Sequence, residues 1–147
     1  MIYLDNSATT KPHESVLQTF LQVNEHYYAN PASIHQAGVE ANDLLSRARQ
    51  QVASILNTEE KHVIFTSGGT ESNNFALHGI AKSSTHKGKH IIVSEIEHPS
   101  VLEAAKRLIT EGFDVEYLRV DNNGKLSIEQ LKRIIRKDTI LVSVMHV

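Results

Sequence analysis

An α/β fold, a mostly parallel sheet flanked by helices, is what this sequence predicts, and three observations carry it. Short apolar runs ("VIF", "IIV", "ILVSV") alternate with longer stretches of helical spacing. Strands alternating with helices of such lengths indicate βαβ units and a parallel sheet. The runs are also continuous rather than alternating, which suits strands buried on both faces.

The elements follow in order. Val16, Leu17, Phe20 and Leu21 recur at helical spacing, so His13 to about Tyr28 reads as a helix. Asn30-Pro31 interrupts it, because the residue before proline is pushed out of the helical region. A second helix is predicted from about His35 to Leu56, with Leu45, Ala48, Val52 and Ile55 on one face. Then the rhythm changes. "HVIFT" reads as a strand, Glu71 to Ile80 as a helix and "HIIVS" as a strand. Pro99 to Ile109 is helical, with Val101, Leu102, Ala105, Leu108 and Ile109 on its buried stripe. "DVEYLRV" is a strand, "DNNG" a turn, Ser127 to Arg136 a helix and "TILVSVMHV" a strand running to the last residue. An apolar strand with nothing after it predicts a sheet incomplete at the carboxyl end.

Composition excludes several classes. The 147 residues suffice for one core, and 40 % hydrophobic with 22 % charged is ordinary for a soluble globular protein. A net charge of −2 offers no nucleic-acid or membrane surface. With no cysteine, disulfides, thiolate nucleophiles and Cys-ligated metals are excluded within the 147 residues. No run approaches the roughly 18 apolar residues of a membrane span, and "MIYLDNSATT" is no signal peptide. A cytoplasmic location is expected.

Two stretches carry chemistry. "TSGGTES" lies after a predicted strand and opens a helix, where ligands of parallel sheets bind. Free N–H groups and the positive end of the helix dipole suit an anion there. Gly68 and Gly69 allow close approach, and the Thr70 hydroxyl adds a donor. The string also fits a plain capped helix, with Ser67 and Thr70 as cap candidates. "SEIEHPSV" follows the next strand, with Pro99 suited to the first helical position. His98 there can stack on an aromatic ring and move a proton near neutral pH, or simply start a helix. A phosphate cradle and a ring-facing histidine on successive strands suggest a phosphorylated aromatic cofactor. The histidines show no metal-ligand spacing.

"YLDNSATT", "NPASIH", "FTSGGTESNN" and "EHPSV", in this order and at similar spacing, resemble the motifs of the cysteine desulfurases, class V aminotransferase-like enzymes that use pyridoxal 5'-phosphate. The resemblance covers essentially the whole chain. It implies the fold-type I large domain of pyridoxal phosphate enzymes and a homodimer. Residues 1–35 would form the amino-terminal helix and substrate-side segment, and 36–147 the first part of the cofactor-binding α/β domain. By the same resemblance, Gly69 and Thr70 bind the cofactor phosphate, and His98 stacks on its ring and is the candidate catalytic proton shuttle. Ala8 and Thr9 line the substrate pocket and Asn30 lies near the substrate carboxylate. The implied reaction converts L-cysteine to L-alanine and leaves a persulfide, whose sulfur goes to an acceptor protein for iron–sulfur cluster assembly or tRNA thiolation. A selenocysteine lyase, a transaminase or a non-catalytic split chain are the alternatives.

The family's cofactor-bonding lysine, the aspartate on the ring nitrogen and the persulfide cysteine fall beyond residue 147, so the 147 residues alone are expected to be inactive. "STHK" at 84–87 imitates the family's Ser-x-His-Lys motif. Lys87 precedes the strand that His98 follows, which at about 3.3 Å per residue puts it more than ~13 Å from the ring. It reads as a solvated loop lysine.

Overall fold

The computed structural model describes residues 2–146. They form two compact units, one ending at Ile64 and one beginning at Phe65.

The amino-terminal unit holds two helices, α1 (Glu14–His26) and α2 (Gln36–Ile55). Glu14 in the first turn and His26 in the last complement the dipole of α1. None of its residues is buried, and its stripe of Val16, Phe20 and Leu21 is exposed. α2 buries Gly38, Ala41 and Ala53, while Leu45, Ala48 and Val52 are half-buried and Ile55 is exposed. A Cβ on Gly38 would overlap the Ser33 carbonyl, so the small residue there serves close approach.

After a 3₁₀ turn (Glu60–His62), the structure departs from the sequence reading. His62 belongs to that turn, and residues 63–66, the rest of "HVIFT", join no sheet among the described residues; Ile64 and Phe65 are 58 % and 46 % exposed. A strand exists only where a neighbour completes its hydrogen-bond ladder. Among the described residues, Val63 instead accepts at its carbonyl from Arg49 Nε of α2, at 3.2 Å.

The second unit contains α3 (Gly69–Ser83), β1 (His90–Ser94), α4 (Pro99–Thr110), β2 (Asp114–Leu118), α5 (Ile128–Ile134) and β3 (Thr139–Ser143). Its sheet is parallel throughout, in the order β2-β1-β3. The register pairs His90 with Asp114 and Ser94 with Leu118 on one side, and His90 with Thr139 and Val93 with Ser143 on the other. β1, in the centre, is buried along its whole length. Ile91 and Val93 pack with Leu77 and Ala81 of α3 and with Val101, Ala104, Ala105 and Leu108 of α4.

The edge strands are only partly buried, so "ILVSV" is not covered on both faces. β3 stops at Ser143; Val144 to His146 continue outside the ladder, and Val147 lies outside the described residues. Ile109, expected on the α4 stripe, is 45 % exposed. α5 is shorter than predicted because Ile135 turns extended. "DNNG" is the expected turn: Asp121 Oδ1 accepts from the Asn123 and Lys125 amides at 2.8 Å, and Gly124 takes φ 75°.

One glycine is indispensable to the sheet. A Cβ on Gly88 would overlap the carbonyl of Asp138, the same carbonyl that accepts from the His90 amide at 3.2 Å. Gly88→Ala must push β3 away from β1. The expected loss is about 1–3 kcal/mol of stability, typical of overpacking. A urea midpoint equal to wild type would show that the segment yields without cost.

Candidate functional site

A cleft of about 620 Å³ opens between the starts of α3 and α4. That volume lies within the range of small-molecule sites, roughly 300–1,000 Å³. Ser67, Thr70 and Asn74 line it from the start of α3 and the turn before it, and His98, Ser100 and Arg107 from α4 and its N-cap.

Each wall has a local cause. The loop from β1 into α4 is tied on both sides: Glu95 Oε1 accepts from the Val120 amide at 2.8 Å, and Ser143 Oγ donates to the buried Glu97 at 2.9 Å. These bonds aim the loop, and Pro99 then starts the helix at its first position. His98 is the N-cap, its Nδ1 accepting from the Ser100 amide at 3.1 Å.

α3 begins differently from expectation. Neither Ser67 nor Thr70 caps it; Gly68 holds the cap position without a side-chain bond. Ser67 instead donates its N–H and its hydroxyl to Glu71 Oε2, at 2.6 and 2.7 Å. The first-turn amides of Gly69, Thr70 and Glu71 have no intrahelical partner. No hydrogen bond among the described residues ends on them or on the Thr70 hydroxyl. A Cβ on Gly68 or Gly69 would meet nothing within 4 Å, so packing in this chain does not require either glycine. Open donors, a bare backbone and a helix N-terminus together fit a phosphate.

Glu71 carries a negative charge beside these donors. The Ser67 amide, then the Ser67 hydroxyl, hold its carboxyl below the ordinary carboxylate range. A depressed folded-state pKa gives order that is present above the unfolded value and lost as pH falls through the folded one. Exchange of the Ser67 amide hydrogen should therefore quicken below the carboxylate range, and Glu71→Gln should flatten that dependence. An identical profile in the variant would remove Glu71 from the turn.

The sequence-predicted residues divide between the two units. Thr70 and His98 share the cleft, and Gly69 opens the helix beside it. Ala8, Thr9 and Asn30 belong to the amino-terminal unit. There the Ala8 and Thr9 amides donate to the Asp5 carbonyl at 3.2 and 3.4 Å, and Asn30 Oδ1 accepts from the Ala32 amide at 2.9 Å. Lys87 is exposed in the turn before β1 and does not line the cleft. Ser100, Asn74 and Arg107 went unnoticed in the sequence. The first two lie inside the quoted motifs. Arg107 sits seven residues after Ser100, two helical turns along one face, and that period was the available signal. No cluster of three or more metal-ligating side chains occurs among the described residues, and no helix among them is long and apolar enough to cross a membrane.

Known proteins resemble this chain in sequence and fold. The aminotransferase class-V family matches residues 2–147. A relative from Dictyoglomus turgidum (strain DSM 6724 / Z-1310), named cysteine desulfurase IscS, is 43 % identical over 145 residues, covering 99 % of this chain and 37 % of its own length. A solved NifS-like protein superposes with a TM-score of 0.88 at 38 % identity, covering 95 % of this chain and 38 % of that one. SspA, solved in complex with cysteine, gives 0.85 at 34 % identity, covering 95 % and 40 %. The chain thus spans little more than a third of such relatives. With the match running from residue 2 to residue 147 over the sheet and cleft just described, the chain belongs to the aminotransferase class-V family.

Proposed function

We propose that the full-length protein is a pyridoxal phosphate-dependent cysteine desulfurase. One observation carries the reading: Thr70 and Glu71, in the α3 first turn whose amides are open, line the same cleft as His98. The names of the relatives point the same way.

In this reading Gly69 and Thr70 hold the cofactor phosphate. His98 offers its ring to the pyridine and a proton to the reacting atoms. Ala8 and Thr9 line the substrate side, and Asn30 holds the carboxylate of L-cysteine. When bound, the cofactor supplies the electron sink that stabilises charge on the substrate carbon. The net reaction breaks the carbon–sulfur bond of L-cysteine and forms a sulfur–sulfur bond on an enzyme thiol, giving L-alanine. The 147 residues hold no cysteine for that thiol, so by themselves they form no persulfide. An acceptor protein takes the sulfur for iron–sulfur clusters or tRNA thiolation, in the cytoplasm. The exposed apolar stripe of α1 supports a homodimer.

The test is to supply the full-length protein with cofactor, L-cysteine and reductant, and to measure alanine and sulfide. No alanine above the free-cofactor background overturns the proposal. Alanine from selenocysteine alone would move it to a selenocysteine lyase. Thr70→Val keeps the branched shape and loses the hydroxyl, so cofactor affinity should fall about ten- to a hundred-fold, as for one hydrogen bond to a charged group. Unchanged cofactor content by absorbance would leave Thr70 a bystander.

A further inference from the structure

His98 is tied to α3 through a buried serine. Ser100 is 7 % exposed, and its Oγ lies 2.8 Å from His98 Nδ1 and 2.8 Å from Asn73 Nδ2. The Ser100 backbone N–H also points at Nδ1, at 3.1 Å.

The geometry points to Ser100 and Asn73 as positioning residues that hold His98 in one tautomer, with its proton on Nε2. The polarity follows from a single fixed group. A backbone N–H can only donate, so Nδ1 must be an acceptor and the ring proton sits on Nε2. The Ser100 hydroxyl, facing the same Nδ1 lone pair, donates to it as well. Having used its one proton there, Ser100 Oγ must accept from Asn73, which therefore presents its N–H₂. The order is Asn73 to Ser100 to His98, three side chains from two helices, with one direction throughout.

A consequence for the chemistry follows, and it rests on the desulfurase reading. To take up a proton at Nε2, the ring would first have to carry its own proton on Nδ1, against the Ser100 N–H. The proton that His98 offers in that reading is therefore the one on Nε2, with Nδ1 held by Ser100. Shuttling a proton as a base requires the α4 cap to open. Asn73 also links the helix of the open donors to the helix that His98 caps.

The experiment uses the full-length protein with ¹⁵N-labelled histidines, and His98→Asn to identify the His98 signals. Long-range proton–nitrogen spectra read which ring nitrogen is protonated. The expected result is Nε2 protonated and Nδ1 bare and hydrogen-bonded. In Ser100→Ala, the Nδ1 signal should move toward that of a nitrogen with fewer donors, and turnover should fall about tenfold, the equivalent of one hydrogen bond. Ser100→Thr, keeping the hydroxyl, should restore the signal. Asn73→Leu should move it in the same direction as Ser100→Ala, by less. A wild-type proton on Nδ1 overturns the inference without any variant having to fold, and so does an unmoved Nδ1 in Ser100→Ala. The two readings fail separately. A protein that makes no alanine but keeps its Nε2 proton sinks the desulfurase, whereas an active desulfurase with Nδ1 protonated sinks the relay.

Discussion

His98→Asn in the full-length protein should lower turnover about 100- to 1,000-fold while leaving the fold intact. The estimate is the usual cost of removing one aimed donor from an active site. Asparagine is the informative replacement because His98 has two functions. It caps α4 through Nδ1, and it faces the cleft with the rest of its ring. Asparagine is itself a strong N-cap, whereas alanine would forfeit about 1 kcal/mol of helix stability along with the ring. Comparing His98→Asn with His98→Ala separates the two functions: both should lose turnover, and only the alanine variant should also lose thermal stability. Cofactor content, read by absorbance, should fall less than the rate in either. Unaltered turnover in His98→Asn would reduce the histidine to a cap.

The second large effect lies in the core. Leu108→Ala should destabilise the protein by about 2–5 kcal/mol, the range for leucine-to-alanine changes at sites that cannot collapse. Leu108 is fully buried, in the cluster that joins α4 to Ile91 and Val93 of β1. Its carbonyl also receives the Phe113 amide at 3.0 Å, which turns the chain from α4 into β2. The side chain has neighbours on both elements, so a cavity there cannot be filled by shifting one of them. The measurement is the urea midpoint at constant slope. A shift worth less than 1 kcal/mol would mean that α4 reseats on the sheet.

Much of the fold was legible because it is written in local periods. The 3.6-residue stripe of α4, the proline at its first position and the Asp121–Gly124 turn all act within a few residues of themselves. Their bounds in the structure lie close to those read from the string. "HVIFT" failed for the complementary reason. Its apolar, β-branched residues satisfy strand propensity, but a strand also needs a ladder partner, and that partner is not encoded in the run itself. The edge strands mislead in a milder way. "ILVSV" looks like "IIV" in composition, yet only β1, flanked on both sides, is buried throughout. Position within the sheet, rather than sequence, makes that difference.

The site shows the same boundary. The string placed a helix start within "TSGGTES" and another at "HPS", although it began the first helix at Glu71, two residues after its start at Gly69 in the structure. Neither of its two cap candidates, Ser67 and Thr70, caps α3. Ser67 is a good cap by type, but the Glu71 carboxylate, one turn on, accepts from it more strongly as a charged partner. Histidines hold the N-cap position three times, at His13, His35 and His98, and the rings of the last two accept the capping bond, where type-based rules look for serine, threonine, aspartate or asparagine. By itself the sequence determined every element type except that of "HVIFT", the parallel α/β class and the two helix starts that line the cleft, because each depends on residues close along the chain. Only the tertiary structure decided which run became the central strand, that Thr70 and His98 share one cleft, and that Asn73 reaches Ser100 across 27 residues of chain. Those outcomes depend on which segments pack side by side, and a hydrogen bond between two helices has a direction only once both helices are in place.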